Sequence, residues 1–427
     1  MPPWYDCFDR AACDGSAQVS ALAGGPRAAD RGNGRPMATG RRSTLIRDRS
    51  RPQRATPVEL FYDLVFVFML ARLAEALVAN LHPLGAYQTL LLLLAIWWVW
   101  SYTNLTTETL DSRRPAVQLM VITIMLGSLL ISTALPEAFD SRAVLFVSAY
   151  VGIHLFRSVA LAVILRGHRL RNRPLRGIFW FSLSGTLWFT GAFVPGTARL
   201  LLWTAALAME YLGPTVRWPT PKIGRSPSWE WNPPNEYLAE RYRQFVIIAL
   251  GETVVVIART VRRTNYAPEQ ATALVVAFVT TVLLWWIYFY RAREKLGSAI
   301  TGSPDPARET KWAGYAHLIM VAGVVLTTVG DELIIRHPLE DTPGGWVAVI
   351  VGGPVLFLAG RVLLGHEVFV RVARPWLVGI TVLVLMAPAM VLLPPLAVSA
   401  AVMVVLLGVV VVDATTVREP NDMPGTG

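Results

Sequence analysis

Val58–Asn80 reads VELFYDLVFVFMLARLAEALVAN. As one helix it is long enough to cross a bilayer, which takes about 20 mostly apolar residues. Yet Glu59 and Asp63 lie one turn apart on one face, with Arg72 and Glu75 further along. A carboxylate at the centre of a hydrocarbon layer costs at least ~2.5 to 3.5 kcal/mol. Such residues imply a partner or a task. Arg243–Val261, RQFVIIALGETVVVIARTV, has the same character and holds Glu252. Whether these two helices are copies governs how the rest of the chain is read.

The composition around them is that of a membrane protein. Of 427 residues, 54% are hydrophobic and 16% charged, where a soluble chain carries about 25% charged residues. The mean hydropathy is +0.46. The net charge of +10 does not point to nucleic acid. Its arginines sit between apolar runs and in an N-terminal tail, without a continuous basic face. The two cysteines, Cys7 and Cys13, form no disulfide framework and lack a zinc spacing, so no metal or cofactor is expected. Residues 1–57 are rich in Arg, Gly, Pro, Ala and Asp. They read as a disordered basic tail with no apolar signal segment. Met37 is a candidate start, which N-terminal peptide mapping would test.

The pattern predicts an all-α polytopic fold with about twelve spans. They are 58–80, 84–103, 116–135, 143–165, 177–194, 198–216, 243–261, 271–291, 312–335, 345–364, 376–393 and 396–414. The long Pro- and Trp-rich connection divides the chain. A first six-helix half (58–216) precedes a cytoplasmic central loop (217–242). A second half (243–414) and a short tail (415–427) follow. With the N-terminus inside, thirty Lys and Arg fall on the inner side, six outside and three within spans. That bias places both termini in the cytoplasm of a plasma-membrane protein.

Laying spans 1–6 over spans 7–12 brings Asp63 onto Glu252 and Trp97-Trp98 onto Trp285-Trp286. Glu137 falls on Glu332, Arg157 on Arg361, and Glu210 on Asp413. Six is even, so such copies share an orientation and relate by an axis along the membrane normal. Each half then holds two inner acids and one buried arginine. One acid can pair with the arginine, while the other is free to serve a proton or cation pathway. Alternatively, each arginine forks between two acids and pins helices together. Glu59 also reads as an acid at a helix N-terminus, favoured by the macrodipole. Arg72 and Glu75 read as a neutralising pair. His317 is a candidate proton relay or a hydrogen-bonded helix contact. Glu332, like Glu137, lies near an outer end, at a vestibule or in water. Gly352-Gly353-Pro354 is a candidate helix break.

Four stretches together resemble a known family. They are Glu59–Phe68 (ELFYDLVFVF), Phe245–Glu252 (FVIIALGE), Tyr315–Gly323 (YAHLIMVAG) and Gly330–Glu332 (GDE). The combination resembles the bacterial low temperature requirement protein A (LtrA) family over about Val58–Val412. The resemblance implies a multi-spanning membrane protein and a physiological label, but no established activity. It also implies family roles for the acids Glu59, Asp63, Glu252 and Glu332 and for His317. Tyr62 stands where the family often has Phe, and Glu240–Gln244 (ERYRQ) is unusually basic. No Walker A, GxSxG, HExxH or YxDD motif occurs, and no enzyme is expected. The expected function is a secondary transporter or ion-conducting protein using buried carboxylates, with the lipid bilayer and an unknown small solute or ion as partners. The coupling set is Glu59, Asp63, Glu252, Arg157, Glu210, Arg361, Asp413, His317 and Glu332. The rivals are a membrane scaffold, in which these acids are closed into salt bridges, and a lipid-acting enzyme using His317 with a carboxylate.

Overall fold

Proline opens six of the helices, at Pro57, Pro83, Pro115, Pro268, Pro306 and Pro395. Its missing N–H is one that a first helical turn leaves unpaired in any case, and its fixed φ suits the turn. The computed structural model describes residues 45–47, 55–227, 235–262, 267–290, 306–369 and 374–415. Twelve α-helices run through them. They are α1 (Pro57–Ala79), α2 (Pro83–Thr109), α3 (Pro115–Ala134), α4 (Ala143–Ile164), α5 (Asn172–Phe193) and α6 (Thr197–Leu212). Then come α7 (Asn235–Val261), α8 (Pro268–Phe289), α9 (Pro306–Arg336), α10 (Gly344–Phe369), α11 (Arg374–Met390) and α12 (Pro395–Thr415). Among the described residues there is no β-sheet, only isolated bridges at Ile46–Leu110 and Thr220–Gly224.

Eight helices are long and apolar enough to cross a membrane: α2, α3, α4, α7, α8, α9, α10 and α12. Of the others, α1 is crowded with charge, α5 is diluted by Ser, Thr, Gly and Trp, and α6 and α11 are short. The outward faces carry large apolar side chains such as Leu119, Leu126 and Leu385. Charged groups such as Asp63, Arg157, Glu210 and Arg241 are buried inside. Apolar side chains outside with charged groups kept inside is the arrangement a bilayer demands.

Helix packing follows a simple order. Helix α1 packs on α2 and α3, α3 on α4, α4 on α5, α5 on α6, and α2 also touches α4 and α6. Later in the chain α7 packs on α8 and α9, α9 on α10, α10 on α11, α11 on α12, and α8 also touches α10 and α12. Helices α1 and α7 pack against each other, and α1 also meets α9.

Local chemistry moves some boundaries away from those expected. Helix α2 continues to Thr109 rather than stopping near residue 103. Thr103, Thr106, Thr107 and Thr109 return their hydroxyls to carbonyls one turn back, so a polar run stays helical. Helix α7 begins at Asn235, eight residues before Arg243, and draws Arg241 and Tyr242 out of the expected central loop into the bundle. Helix α10 runs unbroken through Pro354. Its glycines serve close packing on α9 instead. A Cβ at Gly353 would lie 2.6 Å from the Thr327 nitrogen, and one at Gly323 would lie 2.6 Å from the Phe357 nitrogen.

Most of residues 1–57, with Cys7, Cys13 and Met37, lies outside the described residues. Residues 45–47 are held against the bundle. Leu45 O accepts from Asp111 N, and Arg47 N donates to Thr109 O. After α6, Gly213 leaves room for buried Trp218, whose ring a Cβ there would strike at 2.3 Å.

Candidate functional site

Asp63 and Arg241 form an ion pair at the contact of α1 and α7, 2.6 Å apart and both fully buried. Asp63 stands six residues after the start of α1, and Arg241 six after the start of α7. Trp100 donates its indole N–H to the same carboxylate oxygen at 2.9 Å. Arg241 makes two more bonds, from Nε and Nη2 to Asn104 Oδ1 at 3.1 and 2.9 Å. Three helices are therefore joined through one guanidinium. Its planar fork suits this task, because one group donates along several fixed directions.

A second network lies beside it. Glu59 accepts from Arg47 Nη2 at 2.7 Å, Ser112 Oγ at 2.5 Å and Thr56 N at 2.9 Å. The Arg47 guanidinium also lies 4.4 Å from the centre of the Tyr237 ring. Tyr237 exchanges a hydrogen bond with Thr107 at 2.8 Å.

The remaining expected residues divide. Asp63 and Glu252 are not brought together: Asp63 takes Arg241, while Glu252 lies toward the C-terminal end of α7, 3.9 Å from the exposed Arg259. Arg157 does not pair with Glu210. Glu210 instead accepts from Tyr150 at 2.5 Å, Ser184 at 2.7 Å and Trp188 at 3.1 Å. Arg157 reaches His154 Nδ1 at 2.7 Å and lies over the Tyr102 ring at 5.0 Å. Arg361 and Asp413 are both buried. Arg361 donates to Ile287 O at 3.3 Å, and its guanidinium lies 4.8 Å from the Trp376 ring centre. Glu332 pairs with Arg336 one turn on, and Arg72 with Glu75. Glu137 is half-exposed and 3.3 Å from Arg142.

His317 is buried and fully bonded. Ala313 O can only accept, so Nδ1 carries the proton at 2.7 Å, and Nε2 accepts from Tyr288 at 2.9 Å. Tyr242 stacks on the ring at 4.3 Å. This is a helix contact, with no carboxylate hydrogen-bonded to the ring. Outside the spans, burial and the neighbouring Arg169 hold His168 below the ordinary histidine range.

Beside the ion pair lies a cavity of about 540 Å³. Trp98, Trp100 and Tyr102 of α2, Tyr211 of α6, Tyr242 of α7 and Trp312 of α9 line it. Arg217 and Lys311 add positive charge, Arg308 is paired with Glu367 at 3.1 Å, and no acidic side chain stands among the described residues lining it. Trp100 is shared: it lines the cavity and holds Asp63. Volume and aromatic lining suit a small organic ligand.

Arg241, Trp100, Asn104, Arg47 and Ser112 are the site residues that the sequence reading missed. A signal for Arg241 was present. Tyr237, Arg241, Phe245, Ala249 and Thr253 recur every four residues, and all are buried. That stripe extends α7 backward through the basic run.

Apolar helices with apolar outer faces and charged groups held inside define a multi-pass α-helical membrane protein. Residues 54–411 match the family described as bacterial low temperature requirement A protein (LtrA), and the chain belongs to that family. It is 36% identical over 327 residues to the uncharacterized protein RA0937 of Rhizobium meliloti (strain 1021), covering 76% of this chain and 80% of that one. No solved structure gives a significant match.

Proposed function

We propose that the protein is a secondary transporter of the plasma membrane, with twelve spans in two parallel six-helix halves and both termini cytoplasmic. The observation that carries this reading is the cavity, which is lined by residues of α2 and α6 together with residues of α7 and α9. Transporters of parallel-repeat construction place their substrate between halves that move against each other. The packing order supports the two-half construction. Every contact named within α1–α6 has its counterpart six helices later, and α1 and α7 meet each other. The ends of α2 and α6 and the starts of α7 and α9 gather at the cavity. Alternating spans would put those four ends on one face, and the arginine bias makes that face cytoplasmic.

On this reading Asp63 and Arg241 act as one unit, a clasp between halves beside the substrate, which breaks or shifts as the halves move. The test is proton, cation and anion flux into proteoliposomes for the native chain and Asp63→Asn. Flux in the native chain that the variant loses while still folded supports the reading. Absence of flux across a broad panel of gradients would reject it.

A membrane scaffold is the second reading. It is favoured by one observation: Asp63 does not line the cavity and is fully buried against Trp100 and Arg241, as a purely structural pair would be. A scaffold would show no flux, and Asp63→Asn would lower only its stability.

A further inference from the structure

Buried polar groups normally find partners, and a group of unpaired donors without acceptors is rare. Five such donors lie together in the first half of the chain. Arg157 Nη1, His154 Nε2 and the indole nitrogens of Trp98, Trp180 and Trp218 are all buried with no hydrogen-bond partner among the described residues. Their rings form one connected cluster. Trp98 meets Tyr102 at 4.9 Å, Phe181 meets His154 at 4.2 Å, and Trp180 meets Trp218 at 5.7 Å. Arg157 lies over both Tyr102 and Phe181, at 5.0 and 5.9 Å. The His154 proton is fixed by its neighbour. Arginine only donates, so His154 Nδ1 accepts and Nε2 carries the hydrogen. All five groups therefore offer hydrogens and none offers a lone pair.

Arg157 forms no ion pair with a described residue. Glu210, a carboxylate within electrostatic reach of it, is engaged by Tyr150, Ser184 and Trp188. A guanidinium buried without a counter-charge is costly. Trp98 and Tyr102, which carry this cluster, also line the cavity. Two of the cavity's cations, Arg217 and Lys311, are exposed and form no ion pair with a described residue.

We propose that the cavity and this donor cluster form a binding site for an organic monoanion with a flat apolar body. The exposed cations draw the anion in, the aromatic walls hold its body, and its charged end lies at the Trp98–Tyr102 side, nearest Arg157. This deepens the transporter reading by naming its substrate class, and binding is measured separately from flux.

The test is equilibrium dialysis of radiolabelled benzoate, benzamide and benzylamine against the full chain in nanodiscs of zwitterionic lipid. Saturable benzoate binding is expected, with benzamide and benzylamine at least ten-fold weaker. Arg157→Gln should weaken benzoate at least ten-fold and leave benzamide unchanged, while Arg157→Lys should lose only a few-fold. If Arg157→Gln fails to fold, the exposed Lys311→Glu and the conservative Trp98→Phe carry the test, each weakening benzoate alone. Nanodiscs containing phosphatidylglycerol distinguish the source of the anion. Competition there would overturn the flat-bodied anion in favour of a lipid phosphate, and its absence supports a soluble anion. Equal affinity for the three probes, preference for benzylamine, or no saturable benzoate binding would overturn the proposal. Benzoate binding without any flux would uphold this site and remove the transporter reading. Flux of inorganic cations without benzoate preference would do the reverse.

Discussion

Removing either member of the Asp63–Arg241 pair should cost far more than removing both. The two groups are 2.6 Å apart with no exposure. In Arg241→Met the carboxylate keeps one donor, the Trp100 indole at 2.9 Å. In Asp63→Asn the guanidinium keeps Asn104, at 2.9 and 3.1 Å, but no counter-charge. Stranding a buried charge in this way costs about 3–5 kcal/mol. That lowers the folding equilibrium by a factor between about 10² and 10⁴. The double variant Asp63→Asn/Arg241→Met strands no charge, and its expected stability lies within about 1 kcal/mol of the native chain. The cycle should therefore show coupling of about 5 kcal/mol or more. If the two positions are equivalent in two similar halves, the exchanged pair Asp63→Arg/Arg241→Asp should also recover much of the loss. The assay is reversible unfolding in mixed micelles, followed by tryptophan fluorescence. Single variants within about 1 kcal/mol of native, or single costs that add in the double, would refute the reasoning.

Three further outcomes are expected. Gly353→Val should destabilise the α9–α10 pair by about 1–3 kcal/mol, because a Cβ there meets the Thr327 backbone at 2.6 Å; micelle unfolding with no change would show that the helices part freely. Arg47→Ala removes a charge-assisted bond to the buried Glu59 and should cost about 1.5–3 kcal/mol, read by the same unfolding assay; an unchanged midpoint would mean that Ser112 and Thr56 suffice. Glu252→Gln touches a partly exposed group 3.9 Å from an exposed arginine and should alter stability by less than about 0.5 kcal/mol; a larger drop in the thermal melt would reveal a structural partner for Glu252.

The α1 stretch announced its importance because a carboxylate at Asp63 contradicts an apolar run. Helix positions were legible for the same reason, since twenty apolar residues between basic breaks have few other fates. Arg241 was not legible on those terms. Its neighbours Glu240 and Arg243 lower the local hydropathy, so the run reads as a loop when charge is counted and as a helix face when periodicity is followed. Matching Asp63 to Glu252 paired acid with acid by residue type. The structure pairs positions at equal distance from their helix starts, which brings an acid to a base. That Arg157 has no ion-pair partner among the described residues could not be read either, because sequence shows which charges exist but not which acid another helix has already engaged. Gly352-Gly353-Pro354 resembled a break because glycine and proline are ambiguous in spans. A neighbouring helix that needs close approach resolves the ambiguity.

On the two-half construction, the halves share packing but not chemistry, and the difference explains why the cavity lies where it does. Trp97 and Trp98 of α2 face inward and build an aromatic wall. Their sequence counterparts on α8, Trp285 and Trp286, are exposed on the outer surface. The positive charge comes from the start of α9, through Lys311, and from Arg217 after α6. Helix α1 meets α9, whereas α3 and α7 have no comparable contact among the described residues. Both halves thus contribute rings, Trp98, Trp100 and Tyr211 from the first and Tyr242 and Trp312 from the second, and both contribute a cation, Arg217 and Lys311. A symmetric pair of halves would place two equal sites about the axis. If the halves are repeats, Asp63 and Arg241, each six residues after its helix start, would hold equivalent positions with opposite charge, and their ion pair would close the axis and leave the ligand-sized space to one side. Movement between the halves would then strain the clasp and reshape the cavity together, because Trp100 belongs to both.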